Sequence, residues 1–171
     1  FVALAGSLDV AKGAVATALA GSRRPRVRAA AAGLAVSGHN WSPMLGGAGG
    51  RGLAPALGAT LVLAPEATGI LAIGLGGGRL IRRTGAGCFW AILALTPILA
   101  ATRGRVGLFG AGAVAAPLLS KRLLGNGLPD RPDLALLLNR LVLDRDQALL
   151  PPTAPPTRGG SRHRGRRRGQ R

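Results

Sequence analysis

Acidic residues are scarce in this chain of 171 residues: six stand against twenty-three lysines and arginines, giving a formal net charge of +17. Across residues 1–129 the carboxylates are Asp9 and Glu66, in a region crowded with Ala, Val, Ile and Leu. Acids that are rarest where apolar residues are densest argue against an ordinary soluble enzyme and for a membrane protein. Aromatics are sparse as well, with no Tyr, three Phe and two Trp. Proteins that stack nucleobases set aromatic platforms beside their cations, whereas Trp41, Phe89 and Trp90 lie in apolar runs. Nucleic acid is therefore not an expected partner. Cys88 is the single cysteine, which excludes an internal disulfide, and His39 and His163 have no acidic cluster beside them to complete a metal-ligand set. Neither a metal nor any other cofactor is expected.

What the chain does have is six apolar stretches separated by short, mostly basic breaks: residues 1–20, 29–45, 53–64, 67–78, 85–101 and 106–120. A membrane-spanning helix takes roughly 20 apolar residues, with a range of about 17 to 25. By that measure 29–45 and 85–101 qualify and 106–120 is marginal. The pair 53–64 and 67–78 flanks Pro65-Glu66. It forms either one kinked span or two short spans or half-helices buried in a bundle, where irregular backbone is tolerated at membrane depth. Abundant Gly and Ala suit close helix contact in a bilayer. The expected fold is all-α, a polytopic integral membrane helical bundle of five or six segments with a basic disordered C-terminal tail. A soluble protein with buried core helices is the alternative, and few polar positions interrupt the runs to support it. The chain begins at Phe1 inside an apolar stretch, with no basic n-region or cleavage site, and so is expected to continue a longer protein.

Beyond Pro129 the pattern changes. Residues 133–150 alternate leucine pairs with Asn139, Arg140, Asp144, Arg145 and Asp146, which reads as an amphipathic helix on a membrane surface. The prolines from Pro151 to Pro156 end it, and seven arginines follow from Arg158 onward. Such a tail is drawn to anionic lipid heads. Three regions result: a membrane-embedded domain (1–128), an amphipathic cytosolic helix (129–150) and a Pro/Arg-rich disordered tail (151–171). The positive-inside rule puts the tail in the cytosol whether 53–64 and 67–78 make one span or two. Two spans also place Arg51 and the basic 79–83 loop on the tail's side; one span places residues 23–28 there instead.

Charged groups within apolar helices mark function by default. Asp9 and Lys12, three apart, share a helix face and neutralise one another. Gly13 beside Lys12 leaves its amine accessible to a charged ligand. Gly49, Gly50, Arg51 and Gly52 precede a helix that opens near Leu53. Their backbone N–H groups, the positive end of the helix dipole and one guanidinium suit a phosphate. No Lys-Ser or Lys-Thr follows, so this is not a Walker loop. His39 is the candidate for polar positioning or proton transfer, although its sequence neighbours offer no carboxylate to orient it.

Asp9-x-x-Lys12-Gly13, a basic break, Gly38-His39, Leu45, and Gly49-Gly50-Arg51-Gly52 opening a further helix resemble the bacterial membrane glycerol-3-phosphate acyltransferases that use an acyl-phosphate donor. Ala64-Pro65, Arg82-Arg83-Thr84 and Arg122-Leu123-Leu124 fall where that family has comparable features, and the resemblance extends over residues 1–127. It implies acyl transfer from acyl phosphate to the 1-hydroxyl of glycerol-3-phosphate, giving lysophosphatidate for phospholipid synthesis. The implied location is the inner (plasma) membrane, multi-pass, with lipids as surroundings. Lys12, Gly49, Gly50, Arg51 and Gly52 then bind phosphate, His39 is catalytic and Asp9 is an ion-pair partner. The family's Ser-Gly-Asn loop and its His-and-Asn motif before Arg122 have no counterpart here, and Arg51 stands where a Lys is usual. Those departures keep a second reading open, a non-catalytic membrane protein derived from the same family.

Overall fold

The computed structural model describes residues 2–21, 23–125 and 133–144. Regular structure among them is entirely helical: α1 (Val2–Leu19), α2 (Pro25–Asn40), α3 (Leu53–Leu63), α4 (Pro65–Leu80), α5 (Thr84–Leu124) and α6 (Leu134–Leu143), with a 3-10 turn at Pro43–Leu45. The arginine tail and the end of the 133–150 segment lie outside the described residues.

Proline and glycine set the helix ends. Pro25 occupies the first turn of α2, where its missing N–H is harmless. The helix therefore starts ahead of the apolar stretch 29–45. It stops at Asn40, short of that stretch's end, because Pro43 follows and Gly46 and Gly47 adopt positive φ of 61° and 86°. Gly52, at φ 70°, precedes α3, so the helix opens at Leu53 as the sequence indicates.

Two sharp reversals organise the bundle. At Ala64 the backbone is extended, with φ −160°, and the hydroxyls of Thr60 and Thr68 meet at 2.9 Å. Along a straight helix those residues would be about 12 Å apart. Thus α3 and α4 are two helices folded on one another, not one kinked span. The second reversal is Gly104, whose φ 59° and ψ −140° break α5. Arg122 Nη1 donates to the Gly85 carbonyl at 3.0 Å, a pair that an unbroken helix would hold about 55 Å apart. Residues 84–103 and 105–124 are therefore antiparallel arms, each about 30 Å long, and they correspond to the fifth and sixth apolar stretches. By length and composition Thr84–Leu124 is the one helix among the described residues able to cross a membrane, and its reversal makes it a hairpin.

Alanines make up much of the interior. Ala32, Ala56, Ala59, Ala67, Ala91 and Ala111 are buried with Val36, Leu71, Ile92, Leu95, Val114 and Leu118. Helices cross where glycine allows it: Gly13 lies against the Pro55 backbone and Gly58 against the Val10 carbonyl, joining α1 to α3, while Gly74 and Gly78 meet Gly87 between α4 and α5. Pro117 removes the N–H that would bond the Ala113 carbonyl. That carbonyl faces Gly33 of α2, where an added Cβ would lie 2.6 Å from its oxygen. Large apolar residues including Leu19, Leu34, Ile73, Leu80 and Trp90 point outward.

These reversals sort the loops. The Ala64 and Gly104 turns share one end of the bundle, linked by Arg103 to Glu66. The 41–52 loop, the 81–83 turn, the end of α5 and the end of α6 gather at the other, around one cavity.

Candidate functional site

The loop after α2 is held from beneath. Asn40 is fully buried, and its Nδ2 donates to the Pro117 carbonyl at 2.8 Å, tying α2 to the second arm of α5. Its Oδ1 is buried without a hydrogen-bond partner and lies under Gly52, where a Cβ would collide with it. Gly50 N–H donates to the His39 carbonyl at 3.2 Å, so one donor of the expected glycine nest is already used. Pro55 contributes no N–H to the start of α3. The orphan donors of that helix end are therefore those of Gly52, Leu53 and Ala54.

A first cleft of about 340 Å³ is lined by Asp9, Lys12, Gly38, His39, Gly49 and Gly50. Lys12 Nζ lies 3.3 Å from Asp9 Oδ1, the helix-face pair that their spacing indicates. The same oxygen lies 3.5 Å from His39 Nδ1. The absence of a carboxylate among His39's sequence neighbours thus misleads, because α1 supplies Asp9 across the helix contact. The arrangement turns His39 Nε2 toward Gly50. Lys12 itself is largely exposed, at 74 % of its side-chain surface.

A second, larger cavity of about 880 Å³ lies on the other flank of the loop, and its lining includes Arg51, Arg82, Arg83, Arg122, Cys88 and Asp144. Four arginines from three separate segments line it. Arg82 and Arg83 stand at the tip of the α4–α5 connection, brought round by the glycine crossing beneath it, and Arg82 itself takes a positive φ of 58°. Arg122 is nearly buried. Besides Gly85 it bonds the Leu141 carbonyl at 2.9 Å, so it anchors α6 against α5. Asp144, the residue that ends α6 at φ 58°, forms an ion pair with Arg51.

The sequence-derived residues are thereby divided. Asp9, Lys12, His39, Gly49 and Gly50 face the first cleft, whereas Arg51 faces the second. Lys12 and Arg51, both phosphate candidates by sequence, lie in different pockets. Arg82, Arg83 and Arg122 read in sequence as charges flanking apolar spans, and only the fold shows them meeting. Their signal was the resemblance, which marked Arg82-Arg83-Thr84 and Arg122-Leu123-Leu124 without assigning them a ligand. Among the described residues no group of three His, Cys, Asp or Glu side chains is placed to hold a metal ion.

Comparison with known proteins gives one family: the sequence model described as Glycerol-3-phosphate acyltransferase matches residues 1–123. No solved structure matches the chain.

Proposed function

Because the chain belongs to the glycerol-3-phosphate acyltransferase family, we propose that it transfers an acyl group from acyl phosphate to the 1-hydroxyl of glycerol-3-phosphate, releasing inorganic phosphate and lysophosphatidate. The observation that carries this reading is the convergence of Arg51, Arg82, Arg83 and Arg122 on one cavity. Guanidiniums bind phosphate by charge and paired hydrogen bonds, and both substrates carry phosphate. Acyl phosphate has a good leaving group, so positioning and charge stabilisation supply the rate and no covalent nucleophile is needed. The acceptor hydroxyl oxygen attacks the acyl carbon, the acyl–phosphate bond breaks, and the arginines take the charge that develops on the leaving phosphate. His39 is paired through Nδ1 with Asp9 and faces the first cleft, not the arginine cavity, so its proposed role as acceptor of the hydroxyl proton requires the acceptor hydroxyl to reach across the Gly50 turn while the arginines hold phosphate. Lys12 and the Gly49–Gly52 loop complete the anion-attracting surface on the loop's other flank.

A multi-pass membrane setting is part of the proposal. Small residues at the helix crossings and many large apolar residues on the outer surface are the packing expected where lipid, not water, surrounds the helices. Arg51, Arg82, Arg83 and Arg122 share the end of the bundle that leads into the C-terminal region. The positive-inside rule then puts the arginine cavity and the tail on the cytosolic side. Purified protein supplied with acyl phosphate and glycerol-3-phosphate tests the assignment: lysophosphatidate forms, and Arg51→Ala suppresses it. No product, or product unchanged by that substitution, overturns the assignment and favours the non-catalytic reading.

A further inference from the structure

The arginine cavity is closed on one side by a helix beyond residues 1–123, the part of the chain that matches the family. That helix is α6, and its docking is specific. Asp133 caps its start by accepting from Ala135 N–H at 3.4 Å. Arg140 Nη1 donates to the Leu123 carbonyl at 3.3 Å, and Arg122 bonds the Leu141 carbonyl. Gly85 lets the Leu143 carbonyl pass so close that any side chain there would clash. The outcome of this docking is the position of one carboxylate. Asp144 ends the helix in the left-handed conformation and lines the cavity together with four arginines, paired to Arg51.

We propose that α6 is a built-in cap and that Asp144 is a resident competitor, holding Arg51 in the place a ligand phosphate would take. The inference rests on the reading of this cavity as the phosphate site. A carboxylate and a phosphate oxygen make the same charge-assisted hydrogen bonds to a guanidinium, so a phosphate reaching Arg51 must first displace Asp144. Asp144 therefore sets the affinity of the site, and α6 must shift outward when ligand enters. The Arg51 side chain keeps 46 % of its surface and Asp144 23 % in contact with solvent, although the paired Oδ1 itself is buried. An ion pair of that kind is weak enough to exchange.

The test is calorimetric titration of the full chain in detergent with inorganic phosphate and with glycerol-3-phosphate. The variants are Asp144→Asn, Arg51→Ala and the two combined. Asparagine tolerates the same left-handed backbone, so Asp144→Asn removes the charge and leaves the helix end intact. It is expected to bind phosphate about fivefold more tightly, the upper range for a partly exposed pair, and the gain vanishes in the Arg51→Ala background. Arg140→Ala, which removes a bond holding α6 to the end of α5, shifts affinity in the same direction. Equal or weaker binding by Asp144→Asn overturns the cap while the phosphate site stands. Absence of binding to every form overturns the phosphate site and the cap with it.

Discussion

Arg103 grips Glu66 through one edge of its guanidinium, Nε at 2.5 Å from Oε1 and Nη2 at 2.9 Å from Oε2, while its Nη1 donates to the Leu63 carbonyl at 3.1 Å. One side chain thus fastens the reversal at Gly104 to the reversal at Ala64. The Arg103 hydrogen bond is the main reason the Glu66 pKa lies below its ordinary 4.5. A depressed carboxylate pKa contributes stability that is complete above the unfolded value and is lost as pH falls through the folded one. Thermal unfolding of wild type and Glu66→Gln should therefore differ at neutral pH and converge below about pH 4. The pair is solvent-exposed, so the neutral-pH difference is at most about 1 kcal/mol.

Two glycines matter for different reasons, and alanine separates them. Gly104 has open space where a Cβ would go but holds φ at 59°, so Gly104→Ala is a backbone cost of about 1 to 3 kcal/mol. Gly58 has ordinary helical geometry, but a Cβ there runs into the Val10 carbonyl. Gly58→Ala forces α1 away from α3, a cost of about 1 to 3 kcal/mol from overpacking. Removing α1's contact should leave Gly104→Ala unaffected, so the double variant is additive within about 0.5 kcal/mol in detergent unfolding curves.

The arginines of the cavity differ in how much the fold depends on them. Arg82 and Arg83 are exposed at a turn tip, and their replacement by Ala raises KM for glycerol-3-phosphate about tenfold while the unfolding midpoint stays put. Arg122→Met strips the Gly85 and Leu141 carbonyls of their donor and lowers stability by about 2 kcal/mol as well. Steady-state kinetics alongside thermal unfolding separate the two classes.

His39→Gln tests proton transfer. Loss of a general base lowers kcat about 10² to 10⁴-fold with a smaller change in KM. Asp9→Asn, which keeps the shape but removes the charge beside Nδ1, falls between that variant and wild type. A change confined to KM would instead make His39 a support for the Gly50 turn.

Much of this was legible from local chemistry. The start of α3 after Gly52, the Asp9–Lys12 pair and the break at Pro65 each follow from residues within a turn of one another. The division of His39 from Arg51 was not legible, although they are twelve positions apart. It depends on Asn40 anchoring α2 to Pro117 and so fixing which flank of the glycine loop each side chain reaches. Nor could the reversal at Gly104 be told from any other break between apolar runs, because several glycines of this chain lie in ordinary helix. The role of Asp144 is the most distant from sequence, since a carboxylate at the end of a leucine-rich segment says nothing of an arginine ninety-three positions earlier.

Helix crossings made of alanine and glycine have almost no volume to lose. Systematic truncation to alanine would register at Leu71, Ile92, Leu95 and Leu118 but pass over the alanine and glycine crossings in silence, whereas enlargement to leucine would register at each crossing. At those crossings the map of sensitive positions would be drawn by what cannot be added, and the protein's outward-facing leucines and isoleucines would be the permissive ground.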